Sequence, residues 1–173
     1  RLMEELGMKN PMALPRLVKI VLNSGLKEAL KDAKVIDEAS SQLALICGQK
    51  PVVTRAHQAI AGFKLRKGDA IGVMVTLRGD RMYDFYEKLV RVVLPRLRDF
   101  HGVSISFDGH GNYSLGFSEI TVFPEIDVVH LGKNFGVEVT IQTSARNDDE
   151  AKKLLELLGM PFKKVRSELE VRS

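Results

Sequence analysis

A two-layer α+β sandwich, with a mainly antiparallel sheet left open on one side and helices on the other, is the fold class this sequence predicts. Two observations predict it. Three segments alternate apolar and polar residues, as strands with one buried and one open face do. Other segments place apolar residues at spacings of three and four, and helices of that kind can all pack on the sheet's buried side. The order reads strand, helix, loop, strand, helix, excursion, strand, helix. We expect one domain over 1–173, with a protruding basic loop at 49–70 and an irregular excursion at 99–135.

Arg1 to Gly7 reads as a helical stub closed by a glycine suited to a left-handed cap. Pro11 and Pro15 bracket a connecting loop. In PRLVKIVLNSG, Val18, Ile20 and Leu22 share one face of a strand, and Leu17, Lys19, Val21 and Asn23 share the other. A helix follows from Asp32, a candidate N-cap, with an Ile36, Ala39, Leu43, Ile46 stripe and Gly48 at its end. IGVMVTLR alternates cleanly, with Ile71, Val73, Val75 and Leu77 facing one way. Asp80 then caps a helix whose stripe is Met82, Phe85, Tyr86, Leu89, Val90 and Val93. Glu87 and Arg91 pair on its solvent side, and Pro95 ends or kinks it. After the glycine-rich, aromatic excursion, GVEVTIQTS returns to strand and NDDEAKKLLELLG to helix, its first turn acidic and Gly159 beyond its end. The tail FKKVRSELEVRS carries no structural signal.

Charge is the third observation, and it bears on function. Net charge is only +4, yet residues 1–101 hold 18 Lys and Arg against 11 Asp and Glu, while residues 102–173 hold 8 against 11. Between Glu38 and Asp69 there is no acid at all, and the interval carries Lys50, Arg55, His57, Lys64, Arg66 and Lys67. Surfaces normally mix charge signs, so an uncompensated basic stretch points to a polyanion, most commonly nucleic acid. The open sheet face would show Lys19, Asn23, Thr76, Arg78, Glu138, Thr140 and Gln142. It is polar, mildly basic and almost free of aromatics, which suits the phosphates and 2′-hydroxyls of folded RNA better than base stacking. The open side is therefore read as RNA-facing, in the manner of ferredoxin- and RNP-like sandwiches.

Other classes have little support. No apolar run approaches the ~20 residues of a membrane span, and no secretory signal is visible. The single Cys47 rules out an intrachain disulfide, fits a reducing compartment and reads as core packing. His57, His101, His110 and His130 have no metal-ligand spacing. Asp108 and His110 in DGHGNY lack a nucleophile in a defined elbow, and the GHG lacks the third glycine and the strand-turn-helix context of a dinucleotide fingerprint. No catalytic constellation and no cofactor site emerges.

A series of motifs carries a resemblance. LPRLVKIVLNSG, LALICGQKPVVTRA, IAGFKLRKG, IGVMVTLRGDRMYDF, LPRLRDFHGVS, FDGHGNYSLGF, VFPEID and DEAKKLLELLGMPF run in order from about Met12 to Phe162. Jointly they resemble the universal large-subunit ribosomal protein five family, in its bacterial or organellar form. The resemblance implies a non-enzymatic scaffold, resident in the ribosome of a bacterial cytoplasm or an organelle matrix. It implies binding to 5S rRNA in the central protuberance through Asn23, Ser24, Gly25, Gln49, Lys50, Thr76, Arg78 and Gly79. It further implies that the loop with Arg55, His57, Gln58, Phe63, Lys64, Arg66 and Lys67 reaches P-site tRNA. The excursion would face a protein of the small-subunit head across an inter-subunit bridge. Large-subunit rRNA and neighbouring large-subunit proteins complete the expected partners. The alternative is a free-standing RNA-binding or RNA-chaperone module of the same fold; a two-layer enzyme would need a convergent polar pocket.

Overall fold

The computed structural model describes residues 2–8, 10–30, 32–98, 100–126 and 134–163. Its elements are α1 (Leu2–Leu6), β1 (Leu17–Gly25), α2 (Lys34–Cys47), β2 (Val52–Arg55), β3 (Ala70–Leu77), α3 (Asp80–Lys88), β4 (Tyr113–Phe117), β5 (Val137–Thr143) and α4 (Asp148–Leu157). The five strands form one sheet in the order β2-β3-β1-β5-β4, and every neighbouring pair is antiparallel. The earliest strand, β1, thus lies at the centre of the sheet. Its Ile20 and Leu22 are fully buried with Val73, Val75 and Leu77 of β3 and Val139 and Ile141 of β5. Against them pack Ala39 and Leu43 of α2, Phe85 of α3 and Leu155 of α4. The expected open-faced α+β sandwich is what the chain forms.

Three expected details change. The described residues make five strands where alternation shows three. β2 lies inside the expected basic loop and β4 inside the expected excursion; each is short and at a sheet edge, where polar and glycine residues are tolerated. In β1, Leu17 is buried and Val18 exposed, the reverse of simple alternation, because the β1–β5 register shifts between Leu17 and Lys19. At α3 the N-cap is Gly79, and Asp80 is the first helical residue. Asp32 does serve the start of α2, its Oδ1 accepting from Lys34 N at 3.0 Å, although the N-cap itself is Ala33. Gly48 closes α2 with φ of 61°, as expected of a left-handed cap.

Beyond α3 the helix runs on through a π-helical stretch, Leu89–Val93, into a 3-10 turn that holds Pro95. The Glu87–Arg91 pair forms at 2.6 Å. The excursion is not merely irregular: Val103, Tyr113, Phe117, Ile120, Phe123 and Ile126 all enter the core. Phe123 is fully buried, with ring centroids 5.7 Å from Phe117 and 6.3 Å from Phe85, so it pins this segment to the helix layer. His130, the neighbouring part of DVVHLGK, and the tail from Lys164 lie outside the described residues. Cys47 is buried, and burial pushes its thiol up to about 12, which fits a packing role rather than a reactive one.

Candidate nucleic-acid interface

The strand registers define the open face residue by residue. One cross-strand row reads Val52, Met74, Asn23, Glu138, Gly116; the next reads Thr76, Val21, Thr140, Ser114; Lys19 and Gln142 begin a third. Rows in a sheet of this kind lie two residues apart along each strand, and neighbouring strands are about 4.8 Å apart. Every side chain in these rows is exposed or partly so. None is aromatic, and Lys19 and Glu138 are the only charges among them.

At the β3 end of this face, four expected site residues converge. β2 begins at Val52, opposite Met74, so Thr76 lies beyond the reach of its ladder. Gln49, just past the α2 cap, takes the missing place: its Nε2 donates to the Thr76 carbonyl at 3.2 Å. Arg78 follows β3 as an exposed residue at the rim. Gly79 then adopts φ 59° and ψ −141°, a conformation open essentially to glycine, and turns the chain into α3. Lys50 stands exposed beside Gln49, and Asn23 faces the same side one row over from Thr76, with no partner for its amide among the described residues. Gly25 is exposed at the end of β1, opposite Gly72.

Ser24 differs. It is only 1 % exposed and lies on the core side, where its hydroxyl donates to the Gly136 carbonyl at 2.7 Å. Its hydroxyl therefore ties β1 to the approach of β5 instead of facing a ligand. Alternation from Ile20 and Leu22 places Ser24 on that side, so the signal was present in the sequence.

The second group forms an arm between β2 and β3. Its base continues the ladder: Ala56 N donates to the Asp69 carbonyl at 2.8 Å and Gly68 N to the Ala56 carbonyl at 2.9 Å. Arg55 is spent at this base, its Nη1 donating to the Gly68 carbonyl at 3.0 Å. Asp69, the acid that ends the basic interval, accepts from Arg66 N at 2.8 Å. Farther out, Ile60 and Leu65 exchange backbone bonds of 3.0 and 3.1 Å around a 3-10 turn, Ala61–Phe63. Lys64 closes that turn with φ of 53°, the one non-glycine residue with positive φ among those described. Phe63 is 67 % exposed. His57, Gln58, Lys64, Arg66 and Lys67 are all exposed, and their side chains have no ion-pair partner among the described residues. A cationic arm carrying one bare aromatic can neutralise phosphates and lay a ring against a base or ribose.

Among the described residues, no group of three His, Cys, Asp or Glu could hold a metal ion, and no helix is long and apolar enough to cross a membrane. The class of protein defined by this geometry is an open-faced α+β sandwich with a polar sheet face and a basic arm. Comparison with known proteins narrows it. Residues 10–66 match the family model described as Ribosomal protein L5, and residues 70–162 match the model of the same ribosomal family's C-terminus. A protein of Chloroflexus aurantiacus (strain ATCC 29366 / DSM 635 / J-10-fl) named Large ribosomal subunit protein uL5 is 60 % identical over 163 residues, 94 % of this chain and 91 % of its own length. A protein of the same name from Anaeromyxobacter sp. (strain K) is 58 % identical over the same shares, and one from Desulfatibacillum aliphaticivorans is 56 % identical over 95 % and 92 %. The chain belongs to the ribosomal protein L5 family, whose members are structural proteins and not enzymes.

Proposed function

We propose that this protein is a structural constituent of the large ribosomal subunit that holds 5S rRNA on the β3 end of its open face. Its relatives are named as large-subunit proteins, which supports residence in the ribosome next to rRNA and other large-subunit proteins. The observation that carries the 5S reading is the convergence of Gln49, Thr76, Arg78 and Gly79 through the Gln49–Thr76 hydrogen bond, with Asn23 on the next strand. An amide, a hydroxyl and a guanidinium on one rigid edge can engage base edges, ribose hydroxyls and a phosphate together. The arm from Arg55 to Lys67 serves a second RNA, the elbow of P-site tRNA, and the excursion meets the small-subunit head.

Two measurements test this. The protein should sediment with large subunits; free sedimentation would favour a stand-alone RNA-binding module. Replacing Thr76 and Arg78 together by Ala should weaken 5S rRNA binding in a filter assay at moderate salt, and unchanged affinity would remove the sheet-edge placement.

A further inference from the structure

The end of α2 that leads to Gln49 is tied to the excursion through one side chain, Lys88 of α3. Its Nζ donates to the Ile46 carbonyl at 2.6 Å and to the Glu125 carboxylate at 2.5 Å. Ile46 lies 42 residues along the chain from Lys88, and Glu125 lies 37. We propose that Lys88 is a positioning residue that couples the excursion to the Gln49–Thr76 edge. A shift of Glu125 then moves Gln49, and a ligand on the edge steadies Glu125. The proposal rests on the reading of that edge as the 5S rRNA site and adds to it a link with the excursion.

Each link has a physical reason. Ile46 is among the last four residues of α2, whose carbonyls no amide of the helix itself reaches. The Gly48 N–H that caps the helix returns to the Ala44 carbonyl instead. An ammonium beside the Ile46 carbonyl satisfies that oxygen and sits at the negative end of the helix dipole. Gln49 follows Ile46 by three residues, and its Nε2 donates to the Thr76 carbonyl at 3.2 Å. The end of α2 is therefore held twice, to α3 by Lys88 and to β3 by Gln49.

The junction is firm on its excursion side as well. The Lys88 side chain is 23 % exposed, and its Nζ lies 5.6 Å from the centroid of the buried Phe85 ring. That ring stacks at 6.3 Å on Phe123, the anchor of the excursion. Glu125 follows Phe123 by two residues, and the Ile126 N–H donates to the Phe123 carbonyl at 3.2 Å, so a closed turn presents the carboxylate. Glu87–Arg91 and Lys152–Glu156 are, by contrast, i,i+4 pairs along one helical run. Pairs of that kind stiffen a helix and carry nothing between segments. A largely buried cation shared by a carbonyl and a carboxylate does, because moving one acceptor changes the bond to the other. Coupling of this kind acts equally in both directions.

The test uses the full chain, free and bound to 5S rRNA. In the free protein, Lys88→Met and Glu125→Ala should each shift the Gln49 side-chain amide signals in NMR and leave the core amides of β1 and β5 unmoved. Lys88→Arg, whose guanidinium keeps donors for both acceptors, should hold the Gln49 signals at their wild-type positions. In the complex, 5S rRNA should slow hydrogen exchange at the Ile126 N–H. Lys88→Met should abolish that slowing and weaken 5S affinity about fivefold. Gln49 signals that stay in place in either Lys88→Met or Glu125→Ala overturn the coupling. Equal shifts across the amides of β1 and β5 would make Lys88 a packing residue only, and overturn it as well. If Thr76→Ala/Arg78→Ala leaves 5S affinity unchanged, the RNA reading of the edge fails, and the Gln49 shifts in the free protein still decide the coupling.

Discussion

The Gln49–Thr76 edge and the tip of the basic arm draw on the same acid-free interval, yet they are held in place by opposite means. At the edge, polar groups are attached to the central sheet: Thr76 stands opposite Val21 of the innermost strand, and Gln49 is fixed by the α2 cap and by its bond to the Thr76 carbonyl. At the tip, the cations are held by bonds within the arm itself, Ile60 with Leu65, Lys64 N with the Ala61 carbonyl and Arg66 N with Asp69, and no described residue from His57 to Asp69 belongs to the core. Rigid polar groups lose little entropy on binding and can read shape; loosely held ones pay that entropy at each encounter and give weaker, more adaptable contacts. The difference in construction motivates the proposed assignment of a permanent RNA partner to the edge and a passing one to the tip.

The largest expected effect therefore sits at the edge. Thr76→Ala/Arg78→Ala should cost about 1–3 kcal/mol for each lost contact in 5S rRNA binding. Lys64→Ala/Arg66→Ala/Lys67→Ala should leave 5S affinity within a few-fold and impair tRNA-linked steps of translation, measured as tRNA retention on assembled ribosomes. If 5S binding collapses in the arm variant instead, the two surfaces have exchanged partners.

The next effect tests the rigidity of the edge itself. A Cβ at Gly72 would stand 2.5 Å from the Ser24 carbonyl oxygen and 2.9 Å from Thr54 Oγ1. Gly72→Ala must therefore push β3 away from β1 and should destabilise the fold by about 1–3 kcal/mol, read as a lower urea midpoint. At the arm, Asp69→Ala removes the side-chain acceptor of the Arg66 N–H at the base and should change global stability by less than about 0.5 kcal/mol. It should nevertheless speed hydrogen exchange at Arg66 N, which an equal effect on the core amides of β3 would contradict.

The same contrast explains what was legible in the sequence. β1, β3 and β5 and their helices are legible because each buries one face against the core, and burial writes periodicity into the residues. β2 and β4 are edge strands of four and five residues, too short and too polar or glycine-bearing to show a period. The bulge that swaps Leu17 and Val18 depends on the partner strand, which no local window contains. Edge residues such as Thr76 and Arg78 were legible by alternation, and the basic arm by its missing acids. The place of Phe107 was not, because its ring meets Phe162 only after the excursion folds back, a contact between segments far apart in sequence.

The smallest effect concerns the loop from Asp108 to Asn112, which is held by carboxylates. Asp148 accepts from Gly109 N and Gly111 N, at 3.2 and 2.9 Å. Asp108 accepts from His110 N, Asn112 N and the Asn112 amide, at 2.8, 3.0 and 2.6 Å. The Asn112 side chain, and after it the two backbone donors, lowers the Asp108 carboxyl from 3.8 to about 2. A carboxyl lowered on folding contributes stability above its unfolded value, so the contribution is whole above about pH 4 and fades as pH falls through about 2. Asp108 is fully exposed, so the change should be local and leave the global unfolding transition almost unmoved. Amide NMR shifts of His110 and Asn112 should stay constant from pH 7 to 5 and move between pH 4 and 2, and Asp108→Asn should abolish that movement. The Gly109 and Gly111 amides, which donate to Asp148, should keep their wild-type shifts at pH 7 in the variant. If all four amides move together in the variant, the loop is held as one unit and Asp108 has no separate part in setting it.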